Sequence, residues 1–223
     1  MSAPIHGGSN DARTGERPSL LQRQLRHETA GLHRHLDHQL ALLDPGLSIA
    51  RYREVLQVFL GFYAPIEAGL APLASARGAS LGFPLRARTE LIERDLLALG
   101  ASRRQVAELP RCSDLPRLLC LEDLAGCLYV LEGASLGGQV IAPVLERRLG
   151  LTSERGASFF AGDAEATSAR WRRVVSWLES LPSAGARSDD VVASARATFA
   201  ALSEWVARRG AAQEGRRGRP DRL

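Results

Sequence analysis

Four of the five histidines, His27, His33, His35 and His38, fall between positions 27 and 38, and a helical wheel separates them. With Leu25 as the zero direction and about 100° per residue, Leu32, Leu36, Leu40 and Leu43 form one apolar stripe. His33 lies on the margin of that stripe, roughly 80° around. His27 and His38 point to the opposite side, and His35 to the other margin. Only His33 combines neighbours one turn either way on the apolar side, Thr29 and Leu36, with a cation two turns back, Arg26. Arg26 is on the same side and about 10.5 Å away along the axis. A neutral imidazole is a good axial ligand for a metal held in a flat ring, and a guanidinium at that distance can pair with a carboxylate on the ring's edge. The spacing suits a flat anionic macrocycle lying across the helix. The plainer reading of the same residues is a hydrogen-bonded histidine at a core boundary.

The stretch from Gly126 to Ile141 carries glycines where a helix resists them. Each costs roughly 1 kcal/mol relative to alanine, so Gly133, Gly137 and Gly138 together need a compensating gain. On the wheel Gly126, Gly133 and Gly137 share one face with Val140 and Val144. That face is a trough without side chains, in which something flat can approach the backbone. Close packing of a second helix is the alternative use of small residues at such spacing. Gly137 and Gly138 point in different directions, which one helix contact does not serve; a kinked helix over a ligand serves both.

The elements that must hold these residues are helical. Ala, Leu, Arg and Glu dominate, all good helix formers, and no alternating β-branched run appears. The first helix starts near Pro18, a good first-turn residue, and runs to about Leu43, stopped by Asp44-Pro45-Gly46. Ser48 can cap a second, which sends Tyr52, Val55, Phe59, Phe62, Tyr63 and Ile66 to the core and should kink at Pro65. Pro84 is expected to open a third, ended by Gly100 as a left-handed cap, and a short helix follows Ser102. A long helix spans about 121–149 and ends at Gly150. Helices around Trp171–Leu181 and Asp189–Arg209 complete a single-domain, all-α, irregular helical bundle over residues 18–209. Residues 1–17 lack periodicity and read as a disordered arm, and residues 210–223 as a basic disordered tail.

Composition narrows the function classes. With 45% hydrophobic and 24% charged residues, the chain can bury one sizeable core. Every cation is an arginine, and the net charge of +4 falls to +2 once residues 211–223 are set aside. A body so nearly balanced argues against nucleic acid as a partner. Cys112, Cys120 and Cys127 form neither a CxxC pair nor an even disulfide set, which suits a reducing cytoplasm. No apolar run reads as a membrane span, and the N-terminus lacks the apolar centre of a secretory signal.

Together the two unusual segments resemble the haem oxygenase family. Leu25-Arg26-His27-Glu28-Thr29-Ala30-Gly31-Leu32-His33 looks like its proximal-helix motif, and Gly133-Ala134-Ser135-Leu136-Gly137-Gly138-Gln139 like its distal-helix glycine motif. Phe159-Phe160 and the Trp171 helix continue the similarity, which covers about residues 20–209. Leu-Glu-Gly-x-x-Leu-Gly-Gly is similar to bacterial members, especially those supplying bilin to bacteriophytochromes.

The resemblance implies haem b as both substrate and prosthetic group, oxidised by O2 with electrons from a ferredoxin or flavoprotein reductase to biliverdin, carbon monoxide and ferrous iron. It implies His33 as proximal iron ligand, and Gly133, Gly137 and Gly138 as the backbone covering the distal face. Thr29 and Phe199 become haem contacts, and Arg26 and Arg172 propionate partners. A third such cation of the animal enzymes falls here on Ser176, with Arg173 beside it. An aspartate that orders distal waters in those enzymes falls on Ala134. A bilin-accepting phytochrome is a further implied partner.

Two other classes compete. One is a non-enzymatic haem-binding or sensing protein on the same fold. The other is a haem-free helical relative of the thiamine-degrading type, which uses a cysteine nucleophile; Cys120 and Cys127 qualify by residue type alone.

Overall fold

The computed structural model describes residues 20–76, 81–161 and 164–217. The helices in chain order are α1 (Leu20–Leu40), α2 (Ile49–Ala76), α3 (Arg88–Ala98), α4 (Arg103–Ala107), α5 (Leu121–Leu149), α6 (Ala164–Ser180) and α7 (Ser188–Arg217), with a 3-10 turn at Pro182–Ala184 before α7. No strand occurs among the described residues. The expected start of the first helix at Pro18, and the arm before it, lie outside the described residues.

α1 ends at Leu40 rather than near Leu43, because Ala41 takes a left-handed φ of 51°. That turn delivers Leu42 and Leu47 to the core, and Arg148 of α5 donates to the carbonyls of Leu43 and Asp44 at 3.0 and 2.7 Å. Ser48 caps α2 as expected, its Oγ accepting from the Arg51 N–H at 3.2 Å. α2 is the central core helix: Tyr52, Val55, Phe59, Phe62, Tyr63 and Ile66 are all buried.

The helix runs on through Pro65. Proline has no N–H for the carbonyl four residues back, so Gly61 O accepts instead from the Cys112 N–H at 2.8 Å. A Cβ at Gly61 would stand 2.6 Å from both Pro110 O and the Trp205 ring, so the glycine is what lets that loop approach.

α3 begins at Arg88, four residues after Pro84. The Glu67 carboxylate of α2 fixes the start, accepting from the Arg88 N–H at 2.9 Å, the Thr89 N–H at 3.2 Å and the Thr89 hydroxyl at 2.7 Å. Such a cap from a distant residue leaves no local signal. Gly100 (φ 87°) and Gly150 (φ 66°) close α3 and α5 in the left-handed conformation, as expected of C-terminal glycines.

α7 packs along both α1 and α5 and is the floor on which they stand. It continues through Gly210 to Arg217, so the expected break after Arg209 is absent. A lone glycine costs a helix about 1 kcal/mol without ending it, and Ala211 and Ala212 favour continuation. Residues 218–223 lie outside the described residues.

By length and composition alone α2 and α5 are long and apolar enough to cross a bilayer, at mean hydropathy 1.3, a property that buried core helices share. In this fold both are packed helices: α2 supplies much of the core, and α5 carries a buried ion pair, described below.

Candidate functional site

α1 and α5 both stand on α7, with the side chains of Thr29 and Tyr129 within reach of each other between them. Thr29 is buried and donates through Oγ1 to the Leu25 carbonyl at 2.8 Å. Burial pushes the Tyr129 phenol up, against the pull of Thr29 and of the Arg26 charge. One turn beyond this contact, about 6 Å along either axis, stand His33 on α1 and Gly133 on α5.

His33 is half-exposed at the surface of α1. Its Nδ1 lies 2.9 Å from Asp37 Oδ2, one turn on, and that hydrogen bond holds the imidazole above its ordinary value of 6.5, with burial opposing. The edge of the Phe199 ring, buried on α7, meets it with centroids 5.8 Å apart and planes at 67°. With Nδ1 engaged by a carboxylate, Nε2 is the nitrogen presented for ligation, the arrangement by which histidine ligands are oriented and made more basic. Arg26 lies on the same helix, charge-coupled to Tyr129. With Arg23, His27, Ala30, Gly31 and Arg34 it lines a shallow cationic groove.

The glycines of α5 divide into two kinds. At Gly133 an added Cβ would meet only the Trp171 ring at 3.6 Å, and at Gly137 only the Ile141 methyl at 3.8 Å. These are ordinary contacts, so the two bare positions form an open ridge that continues to Val140, itself 51% exposed. At Gly126 a Cβ would fall 2.5 Å from the Ala195 nitrogen and the Val191 carbonyl of α7, and at Gly138 2.5 Å from the Phe160 carbonyl. Gly126 therefore leaves the trough: it serves helix packing. Gly138 likewise makes a packing contact, which seats α5 on the Phe159-Phe160 segment. Gly137 and Gly138 face different ways for two separate reasons, and one kinked helix over a ligand is not needed for both.

The remaining expected residues are placed as follows. Arg172 is exposed on α6 beside Trp171, whose ring borders both Gly133 and Tyr129, the latter with centroids 5.7 Å apart. Ser176, Arg173 and Ala134 are also exposed. The buried cation of α6 is Arg170, which holds Glu132 of α5 through Nε at 2.7 Å and Nη2 at 2.5 Å. Reasoning from sequence missed Asp37, although its four-residue spacing from His33 was a visible signal, and missed Tyr129, Glu132 and Arg170, whose partners lie on other helices.

The cysteines build no alternative centre. Cys127 is fully buried, which pushes its thiol up to about 12 despite a hydrogen bond with Thr198, and burial also raises Cys120. Neither is an activated nucleophile, since that requires a lowered pKa.

These residues fit haem. Among the described residues no three His, Cys, Asp or Glu side chains cluster to hold a bare metal ion. An iron at His33 would bring its own equatorial ligands, as a porphyrin does. A flat ring also needs the bare ridge that Gly133 and Gly137 provide.

The comparisons with known proteins give the family and the fold. The family model described as "Heme oxygenase" matches residues 19–208. A heme oxygenase of Xanthomonas campestris pv. campestris (strain 8004) is 37% identical over 121 residues, which cover 53% of this chain and 67% of that protein. Among solved structures, the heme oxygenase of Neisseria meningitidis, in its NO- and CO-bound forms, superimposes with a TM-score of 0.67 at 22% identity, covering 86% of this chain and 92% of that one. That of Leptospira interrogans gives 0.64 at 17% identity, covering 84% and 98%. At these identities the two likenesses establish the fold. Fold and family together define an all-α oxidoreductase acting on haem. The chain belongs to the heme oxygenase family.

Proposed function

We propose that haem lies between α1 and α5 and is opened there to biliverdin, carbon monoxide and ferrous iron. Bound haem supplies the redox chemistry, with O2 and externally delivered electrons as co-reactants. His33 holds the iron through Nε2, and Asp37 and the Phe199 edge fix the plane of the imidazole. Arg26 and Arg172 pair with the propionates, and Thr29 shapes the floor beside the ring. Gly133 and Gly137 bring bare backbone against the oxidised face, where any larger residue would intrude. Gly138 acts at one remove, by seating the helix.

The observations that support this reading are the Asp37-bound imidazole on α1 and the open glycine ridge on α5, two helices that both pack along α7, with Thr29 and Tyr129 within side-chain reach between them. An acidic ferredoxin or flavoprotein reductase suits the cationic groove of Arg23, Arg26, His27 and Arg34 as electron donor. Three free cysteines suit the cytoplasm, and a phytochrome is a chemically sensible acceptor for the bilin.

The test is spectroscopic. Purified protein with hemin gives a Soret band that His33→Ala alters and added imidazole restores. Ascorbate or a ferredoxin system then replaces that band with biliverdin absorption. A Soret band unmoved by His33→Ala removes the proposed ligand. A stable ferrous-oxy spectrum without bilin makes the chain a haem-binding protein.

A further inference from the structure

Arg88 is the first residue of α3 and only 5% exposed. A cation is unfavourable in the first turn of a helix, where the macrodipole is positive, and burying one is costly unless its donors are satisfied. The placement therefore needs a compensating contact, and that contact reaches α5. Nη1 donates to the hydroxyl of Ser135, and Nη2 to the Phe159 carbonyl at 2.9 Å. The guanidinium carbon stands 4.2 Å from the centroid of the Phe159 ring. Nε is buried without a partner, beside a cavity of about 210 Å³ that Arg86, Ser135, Ser158 and Thr167 help to line.

Ser135 sits in sequence midway between Gly133 and Gly137, and about 160–200° from both around the helix. A bond to its hydroxyl therefore holds α5 from behind while the front stays bare. Gly138 closes on the same rear side, against the Phe160 carbonyl. A segment with three glycines is held weakly by its own helix propensity, and its front ridge has no side chains with which to anchor itself. Its position must be set from the back.

We propose that Arg88 is a positioning residue for the oxidation of haem: through Ser135 it fixes the Gly133–Gly138 segment of α5, and with it the ring edge that the bound substrate presents to oxygen. The proposal rests on reading α5 as a wall of the haem site.

Amide hydrogen exchange of the haem-free protein tests it, comparing wild type with Arg88→Met, Ser135→Ala, the double variant and Ser158→Ala. Amides of residues 133–141 are expected to exchange about tenfold faster in each of the first two. The double variant should be no faster than Arg88→Met alone. Ser158→Ala, which lines the same cavity without a bond to α5, should leave those amides unchanged. Loaded with hemin and reduced, Arg88→Met and Ser135→Ala should yield a biliverdin isomer composition different from wild type.

If Arg88→Met does not fold, Ser135→Ala removes only a hydroxyl and carries both readouts. Unchanged exchange with wild-type isomers overturns the proposal, as does exchange raised evenly over all helices, which marks general destabilisation. The two readings fail separately: a wild-type protein without a hemin Soret band sinks the haem site, whereas unchanged exchange beside an intact Soret band sinks the role of Arg88.

Discussion

The Nδ1 of His33 lies 2.9 Å from the Asp37 carboxylate, which thereby sets the charge state of the imidazole. Ligation needs the neutral imidazole, and Asp37 holds His33 above 6.5. Hemin affinity should therefore fall as pH drops through that raised value. In Asp37→Ala the acid edge should move to lower pH, while affinity on the neutral plateau falls about 10- to 100-fold because the ring is no longer oriented. Soret titrations at stepped pH read both effects. In the haem-free protein the sign reverses: the protonated, Asp37-bound form adds stability below pH 6.5, and that contribution is lost as pH rises through the raised value.

Gly137→Ala separates stability from binding. The new methyl meets only Ile141, at 3.8 Å, so the haem-free protein should gain up to about 1 kcal/mol from helix propensity. Hemin should bind more weakly, because the methyl occupies the ridge. Urea denaturation and a Soret titration on one preparation give both numbers.

Gly126→Ala and Gly138→Ala should do the reverse of Gly137→Ala. Their methyl groups would lie 2.5 Å from backbone atoms that cannot yield cheaply, and overpacking of this kind costs about 1–3 kcal/mol. A lower urea midpoint for both, measured without haem, is the expected result; wild-type midpoints would contradict the assignment of these glycines to packing.

Removing the Glu132 charge should be among the more damaging single changes. The carboxylate and Arg170 are both buried and paired in two-pronged fashion, so Glu132→Gln leaves an uncompensated guanidinium, a loss of about 3–5 kcal/mol. Chemical denaturation checks it. Recovery of stability in a Glu132→Gln/Arg170→Met double variant would show that the stranded charge, not lost packing, causes the damage.

Thiol reactivity should sort by burial. Cys120 is partly exposed at the start of α5, whereas Cys127 is buried with its thiol raised to about 12. Iodoacetamide at neutral pH should label Cys120 ahead of Cys127, which becomes reactive only on denaturation; peptide mapping distinguishes them.

The sequence by itself determined what depends on local periodicity and local backbone chemistry. The stripe of Leu25, Leu32, Leu36 and Leu40 orients α1 and places His33 on its margin, and Gly100 and Gly150 mark helix ends because left-handed turns favour glycine. The motif pair around His33 and Gly133–Gly138, which carries the family resemblance, was legible for the same reason: a motif is residue type and spacing. The partner of each residue across the core was decided only by the tertiary structure. Gly137 and Gly138 are adjacent and identical in type, yet one faces open space and the other the Phe160 carbonyl. Glu67 starts α3 from 21 residues away, and nothing local to Arg88 points to its partner Ser135, 47 residues on. A helix period states which way a side chain points, whereas what it meets depends on how whole helices pack.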